Sequence, residues 1–154
     1  MIIISHRGNV DGLNPQLENS QLHIDKAIKL GYDVEIDLRC SAGKLYLGHD
    51  SPQYPVAESW LEDRIDKIWL HIKDYDSLVW VSNNKKSFKY FCHESDKYTL
   101  TSNGYIWSHD LNNKMTNKCI VPLLSKKQLT NYNQRNFYAV CTDYAFLAKK
   151  IFNT

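Results

Sequence analysis

Glu35 and Asp37 stand two residues apart in "EID", and five of the six histidines close short apolar runs: "ISHRGN", "LYLGHD", "WLHIK", "YFCHE" and "YIWSH". On an extended strand, side chains two apart share a face and sit about 7 Å from one another at their bases. Two carboxylates at that spacing repel by roughly 2 kcal/mol at an effective dielectric near 20. A divalent cation between them removes that repulsion, and oxygen donors suit Mg²⁺, Mn²⁺ or Ca²⁺. The competing expectation is a solvated face, on which alternating acids need no ion.

The histidines add proton chemistry, because imidazole titrates near neutrality. His6 is followed by Arg7, whose guanidinium fork matches phosphate, and by Gly8, which lets the backbone turn close to a ligand. His49 likewise lies between Gly48 and Asp50. His6 and His49 are therefore the candidate catalytic pair. For His93 and His109 the ordinary expectation is a hydrogen-bonded structural role, with His93 and Glu94 also candidate pocket residues. Trp107 in "YIWSH" has two readings, a flat ring bordering a glycerol or sugar and a packed core side chain.

These residues need strands to hold them. Ile2 to His6 reads as a first strand. "ENSQLHIDKAIKLGYD" reads as a helix with Asn19 or Ser20 as its cap and Gly31 as its stop. "DVEIDLR" alternates strictly, placing Val34, Ile36 and Leu38 on one face and Glu35, Asp37 and Arg39 on the other. "KLYLGHD", "KIWLHIK", "KYFCH", "YTLTS", "YIWSH", "CIVPLL" and "FYAVCTD" supply further strands. Helices are expected over Val56 to Asp63, after Asp74 or Asp76, over Lys126 to Asn131, and over Tyr144 to Phe152.

The strand-helix-strand succession argues for a parallel sheet covered by helices, and about eight strands point to a barrel. At 154 residues that leaves only about 19 residues per unit, against roughly 30 for an ordinary strand-helix-strand step. The expected fold is thus an α/β, compact, partly degenerate (β/α)8 TIM-like barrel in one domain, residues 1–154. Several outer helices are missing, above all between Lys89 and Asn112. Strand C-termini converge on one face of such a barrel, where catalytic groups collect.

The quoted segments resemble the glycerophosphodiester phosphodiesterases, within the phosphatidylinositol-specific phospholipase C-like barrels. "HRG" at His6 to Gly8, "ENS" at Glu18 to Ser20, "EID" at Glu35 to Asp37 and "GKLYLGHD" at Gly43 to Asp50 follow that family's order and spacing over the first third of the chain. The resemblance implies a phosphodiester hydrolase with His6 and His49 as acid and base, Arg7 and Lys73 on the phosphate, and one divalent cation on Glu35, Asp37 and the residue at position 71. It also draws Glu18 into the site. Where the family has Glu-x-Lys, this chain has His71-Ile72-Lys73. Imidazole is a poor ligand for Ca²⁺ or Mg²⁺. Four expectations follow: a softer ion, an oxygen supplied by Glu94 or Glu18, a weakly held metal, or lost activity. "VCTDYAFL" resembles the family's closing segment, but Asp143 is also an ordinary helix cap, which is the role expected of it.

Composition narrows the partners. With 19 basic and 17 acidic residues the net charge is only +2, too little for a general nucleic-acid binder. The four cysteines form no CxxC pair, so no zinc knuckle or redox motif is written here, and reduced thiols in a cytoplasmic protein are expected. The four-residue apolar opening is too short for a signal peptide, and no stretch approaches the length of a membrane span. The expected function is metal-dependent hydrolysis of a small, soluble, glycerophosphodiester-like substrate. The alternative is an impaired barrel that binds a phosphorylated sugar or polyol without turning it over.

Overall fold

The β-branched run Ile2–Ile4 forms β1 (Ile2–His6), the strand around which the sheet is assembled. The computed structural model describes residues 1–152. In chain order β1 is followed by α1 (Gln21–Lys29), β2 (Asp33–Ser41), β3 (Lys44–Leu47), β4 (Tyr54–Pro55), α2 (Glu58–Glu62), β5 (Ile68–Ile72), α3 (Tyr75–Asn83) and β6 (Lys89–Cys92). Next come β7 (Tyr98–Leu100), β8 (Ile106–Ser108), β9 (Cys119–Pro122), α4 (Lys126–Asn131), β10 (Ala139–Thr142) and α5 (Ala145–Phe152). The strand and helix segments read from periodicity are thus found in order. Ser20 caps α1, Asp74 caps α3, and Ser125 with Gln128 forms a capping box on α4.

The architecture corrects the barrel expectation. The ten strands form one mixed sheet curled into a half-barrel, not a (β/α)8 barrel with alternating helices. Neighbouring strands β6, β5, β2, β1, β10, β9 and β8 run parallel in that order. β7 turns back antiparallel on β8, and the β3–β4 hairpin extends the far half of β2. The ends of the curl, β6 and β7, are tied by bonds such as Ser102 N–H to Tyr90 O (2.8 Å) and Thr99 Oγ1 to Cys92 O (2.8 Å). The physical reason is chain length: the segments joining β6, β7, β8 and β9 are short and polar, so a hairpin and a loop replace the crossover helices.

The pleat divides the sheet's residues into two layers. Outward, Val34, Ile36, Leu38, Ile68 and Leu70 pack under Ile24, Ala27, Leu61 and Val81 of the first three helices. Ile3, Val121 and Val140 pack under Leu129, Ala145, Ala148 and Phe152 of the last two. Inward, Ile4, Trp69, Phe91, Trp107, Ile120, Ala139 and Cys141 fill the curl. That inner plug is the floor beneath His6, Glu35 and His71. Among the described residues no helix is long and apolar enough to cross a membrane.

Candidate active site

A cavity of about 280 Å³ opens above that floor at the C-terminal ends of the parallel strands. His6, Arg7, Glu35, His49, His71, Lys73, His93, Glu94 and Trp107 all line it. Nine candidates separated by up to a hundred residues are thereby brought together. Asp37 lies just behind, in contact with Arg7 and His71. Glu18 is outside the lining and holds Arg7 Nη1 (3.2 Å) and Asn9 Nδ2 (2.8 Å).

Glu35 and Asp37 are not on a solvated face. Their exposures are 2% and 0%, because alternation on β2 turns them into the curl. Burying an ion costs several kcal/mol even after relaxation, more than the roughly 1.5–3 kcal/mol gained by burying an apolar side chain. Stability alone would favour valine or leucine at both positions. Glu35 Oε2 and Asp37 Oδ1 are moreover buried without a hydrogen-bond partner. Buried acceptors without a partner are uncommon in folded proteins, and such acceptors fit a cation site.

The third member of the cluster is His71. Its Nδ1 lies 3.2 Å from Asp37 Oδ1 and 3.4 Å from Glu35 Oε1. The three residues can each offer one ligand atom within 4.8 Å of the others, a donor set that fits a divalent cation. Burial pulls the His71 imidazole down, but the carboxylates of Asp37 and Glu35 and the His93 carbonyl override it and raise it to about 9. Burial would push Asp37 up. His71, the Arg7 guanidinium and the Asn19 amide instead hold it well below the usual carboxylate range.

Two loops set the remaining groups. After β1, Arg7 takes a left-handed backbone (φ 53°), and Gly8 (φ 89°) leaves no room for a Cβ, which would lie 2.9 Å from His23 Cδ2. This turn brings Arg7 Nε within 2.9 Å of Asp37 Oδ2, as an ion pair without hydrogen-bond alignment. At the other loop a Cβ on Gly48 would lie 2.2 Å from Ser51 O, and the Arg39 guanidinium donates to the carbonyls of Gly48 and His49. His49 Nδ1 is 2.7 Å from Asp50 Oδ1.

Sequence reasoning missed three positioning residues. Asp143 does not take the helix-cap role expected of it: its Oδ1 lies 2.7 Å from His6 Nδ1 and accepts from Asn9 Nδ2 at 2.8 Å. The closing "CTDY" segment carried that signal. Asn19 clamps Asp37 twice, donating to Oδ2 and accepting from the Asp37 N–H, both at 2.9 Å. Asn9 is fully buried and links Glu18, His23 and Asp143. His109, expected to be structural, stacks on His93 with ring centres 3.7 Å apart and lines the cavity. Trp107 is 3% exposed and stacked on Phe91, so it belongs to the packed floor as well as to the lining.

No family model, no curated protein and no solved structure matches the chain.

Proposed function

We propose that this protein is a metal-dependent phosphodiester hydrolase acting on a small glycerophosphodiester-like substrate. One observation carries the reading: two buried carboxylates with unmet acceptor atoms, Glu35 in the lining of the cavity and Asp37 just behind it, lie beside His6, itself backed by Asp143. The likeness of the "HRG", "ENS", "EID" and "GHD" segments to the glycerophosphodiester phosphodiesterases supports the same class.

Glu35, Asp37 and His71 would hold one divalent cation, which supplies positive charge opposite a phosphate oxygen. Arg7 and Lys73 border the same cavity and bind the remaining oxygens. Burial lowers the His6 imidazole, but Asp143 and Glu35 more than offset this and raise it above its ordinary value. The same carboxylates favour the protonated form of His6. With Nδ1 committed to Asp143, Nε2 is the nitrogen that gives a proton to the leaving alkoxide. His49, partly exposed beside Asp50, takes the proton from the attacking oxygen of water or of a neighbouring substrate hydroxyl. A P–O bond forms as the bond to the leaving alcohol breaks, and attack by a hydroxyl gives a cyclic phosphate first. The absence of paired cysteines among Cys40, Cys92, Cys119 and Cys141 supports a reducing, cytoplasmic setting.

Histidine in place of an acid at position 71 favours a second reading, a module that holds a phosphorylated sugar or polyol without hydrolysing it. The test is product release from glycerophosphodiesters and from bis(p-nitrophenyl) phosphate with Mn²⁺ or Mg²⁺ present. Turnover is expected to vanish with chelator and to fall by about 10³-fold in His6→Ala. Binding without turnover selects the second reading, and turnover insensitive to both treatments contradicts the site.

A further inference from the structure

We infer that the Glu35, Asp37 and His71 cluster selects a first-row transition ion of the Mn²⁺, Fe²⁺, Co²⁺ or Zn²⁺ class over Mg²⁺ and Ca²⁺, with His71 Nδ1 as the selecting ligand. The inference rests on the reading of this cluster as a cation site and specifies the ion.

Three features of His71 lead to it. First, Nε2 lies 3.0 Å from the His93 carbonyl oxygen, an acceptor only, so Nε2 carries a hydrogen. In the neutral ring this leaves the Nδ1 lone pair facing Asp37 and Glu35. A backbone carbonyl behind a ligating histidine is the ordinary way in which a protein fixes that tautomer. Second, the His71 ring stacks on Phe91, with centres 4.7 Å apart and planes 15° apart, which sets the plane in which the lone pair lies. Third, Nδ1 is close to two carboxylate oxygens yet aligned as a donor to neither, while Asp37 Oδ1 remains without a hydrogen-bond partner. An imidazole placed to form a simple ion pair would aim its N–H at one of them.

The spacing agrees with a small ion. Donors held about 2.1 Å from one ion lie roughly 3.0 Å apart at a right angle and roughly 3.4 Å apart at the tetrahedral angle. The Nδ1 to oxygen separations of 3.2 and 3.4 Å fall in that interval. Ca²⁺ prefers longer bonds and more oxygens, so the size disfavours it. Mg²⁺ has the right size, but it prefers oxygen and dehydrates reluctantly, so the nitrogen disfavours it. Ions that accept imidazole and carboxylate together are the transition ions. Phe91 and the His93 carbonyl thus act on the metal through His71 and are positioning groups.

The test is calorimetric titration of the metal-stripped full chain with Mn²⁺, Co²⁺, Zn²⁺, Mg²⁺ and Ca²⁺, each alone. The three transition ions are expected to bind at least ~10-fold more tightly than Mg²⁺ or Ca²⁺, and His71→Glu, which restores a third carboxylate, should shrink that ratio. Equal affinities in the parent chain, or a ratio unmoved by His71→Glu, overturn the inference, as does binding of none of the five ions. Should His71→Glu not fold, nitrogen NMR of the parent chain with labelled histidines replaces it. Zn²⁺ should shift the His71 Nδ1 signal while Nε2 keeps its proton, and ligation through Nε2 or no shift overturns the assignment. Selective binding without turnover leaves this inference standing and removes the hydrolase reading. Turnover with no preference among the ions does the reverse.

Discussion

Asp33 and Asp37 sit four residues apart on the same face of β2, both buried, and the chain treats them in opposite ways. At the N-terminal end of the sheet, Asp33 is completed by its neighbours. Lys67 Nζ lies 3.2 Å from Oδ1, Trp69 Nε1 donates to Oδ2 at 3.1 Å, and Lys89 Nζ lies 3.6 Å from Oδ2. At the C-terminal end, Asp37 Oδ1 and Glu35 Oε2 are left incomplete, although Arg7, Asn19 and His71 surround them. Similar burial with unequal satisfaction separates an acid completed by the fold from acids whose spare acceptors suit the proposed cation site.

The strongest way to break this contrast is to neutralise each end in turn. Glu35→Gln and Asp37→Asn should abolish ion binding and reduce turnover on the order of 10³-fold, because the charge opposite the phosphate is lost. Glu35→Gln should change thermal stability little, whereas Asp37→Asn should lower it, because the ionised Asp37 carboxylate is paired with Arg7 and held by Asn19. Asp33→Ala should cost stability and spare turnover. By leaving Trp69 and Lys89 without their acceptor, it should lower unfolding free energy by about 2–4 kcal/mol. Turnover in that variant should stay within about twofold. Urea unfolding and steady-state rates on the same preparations give both halves.

Asp143→Asn sharpens the account of the upper end. It keeps the volume but removes the carboxylate that raises His6, so the His6 titration moves down. In the proposed mechanism His6 acts in its protonated form. The alkaline limb of the pH–rate profile should therefore shift to lower pH, with the rate at neutrality falling by about 10²-fold. Gly48→Ala is next in size: a Cβ 2.2 Å from Ser51 O must displace the His49 loop. Stability should fall by about 1–3 kcal/mol and turnover with it.

The smallest effect concerns His109. Burial, with the positive charges of His93 and His71 when protonated, lowers its imidazole to about 4. A histidine depressed in the folded state binds its proton more readily when unfolded. It therefore subtracts stability as pH falls from the ordinary imidazole value toward about 4. His109→Gln should lack that component, so the gap between variant and parent in urea midpoint should move in favour of the variant between neutral and mildly acidic pH.

Much of the upper end was legible in the sequence because it depends on local rules. Alternation in "DVEIDLR" set Glu35 and Asp37 on one face, and the histidines at strand ends anticipated the lining of the cavity. What escaped depends on distance and curl. Burial of Glu35 and Asp37 follows from which face of a bent sheet is concave, which alternation does not encode. The His6 to Asp143 contact joins residues 137 apart, and Asn19 reaches Asp37 through a left-handed backbone (φ 61°) that no propensity requires. The barrel expectation failed where short polar links replaced crossover helices, from β6 to β9. The lower end was not singled out at all, since an acid beside two lysines and a tryptophan becomes a unit only once β2, β5 and β6 are paired.

The most direct measurement is a crystal of the full chain soaked with Mn²⁺ and inorganic phosphate, with anomalous scattering used to locate the ion. The account predicts one manganese peak among Glu35, Asp37 and His71 Nδ1, and phosphate within reach of Arg7 and Lys73 in the same cavity. A manganese at Asp33, or a phosphate bound away from His6 and His49 with the carboxylates still bare, would contradict it.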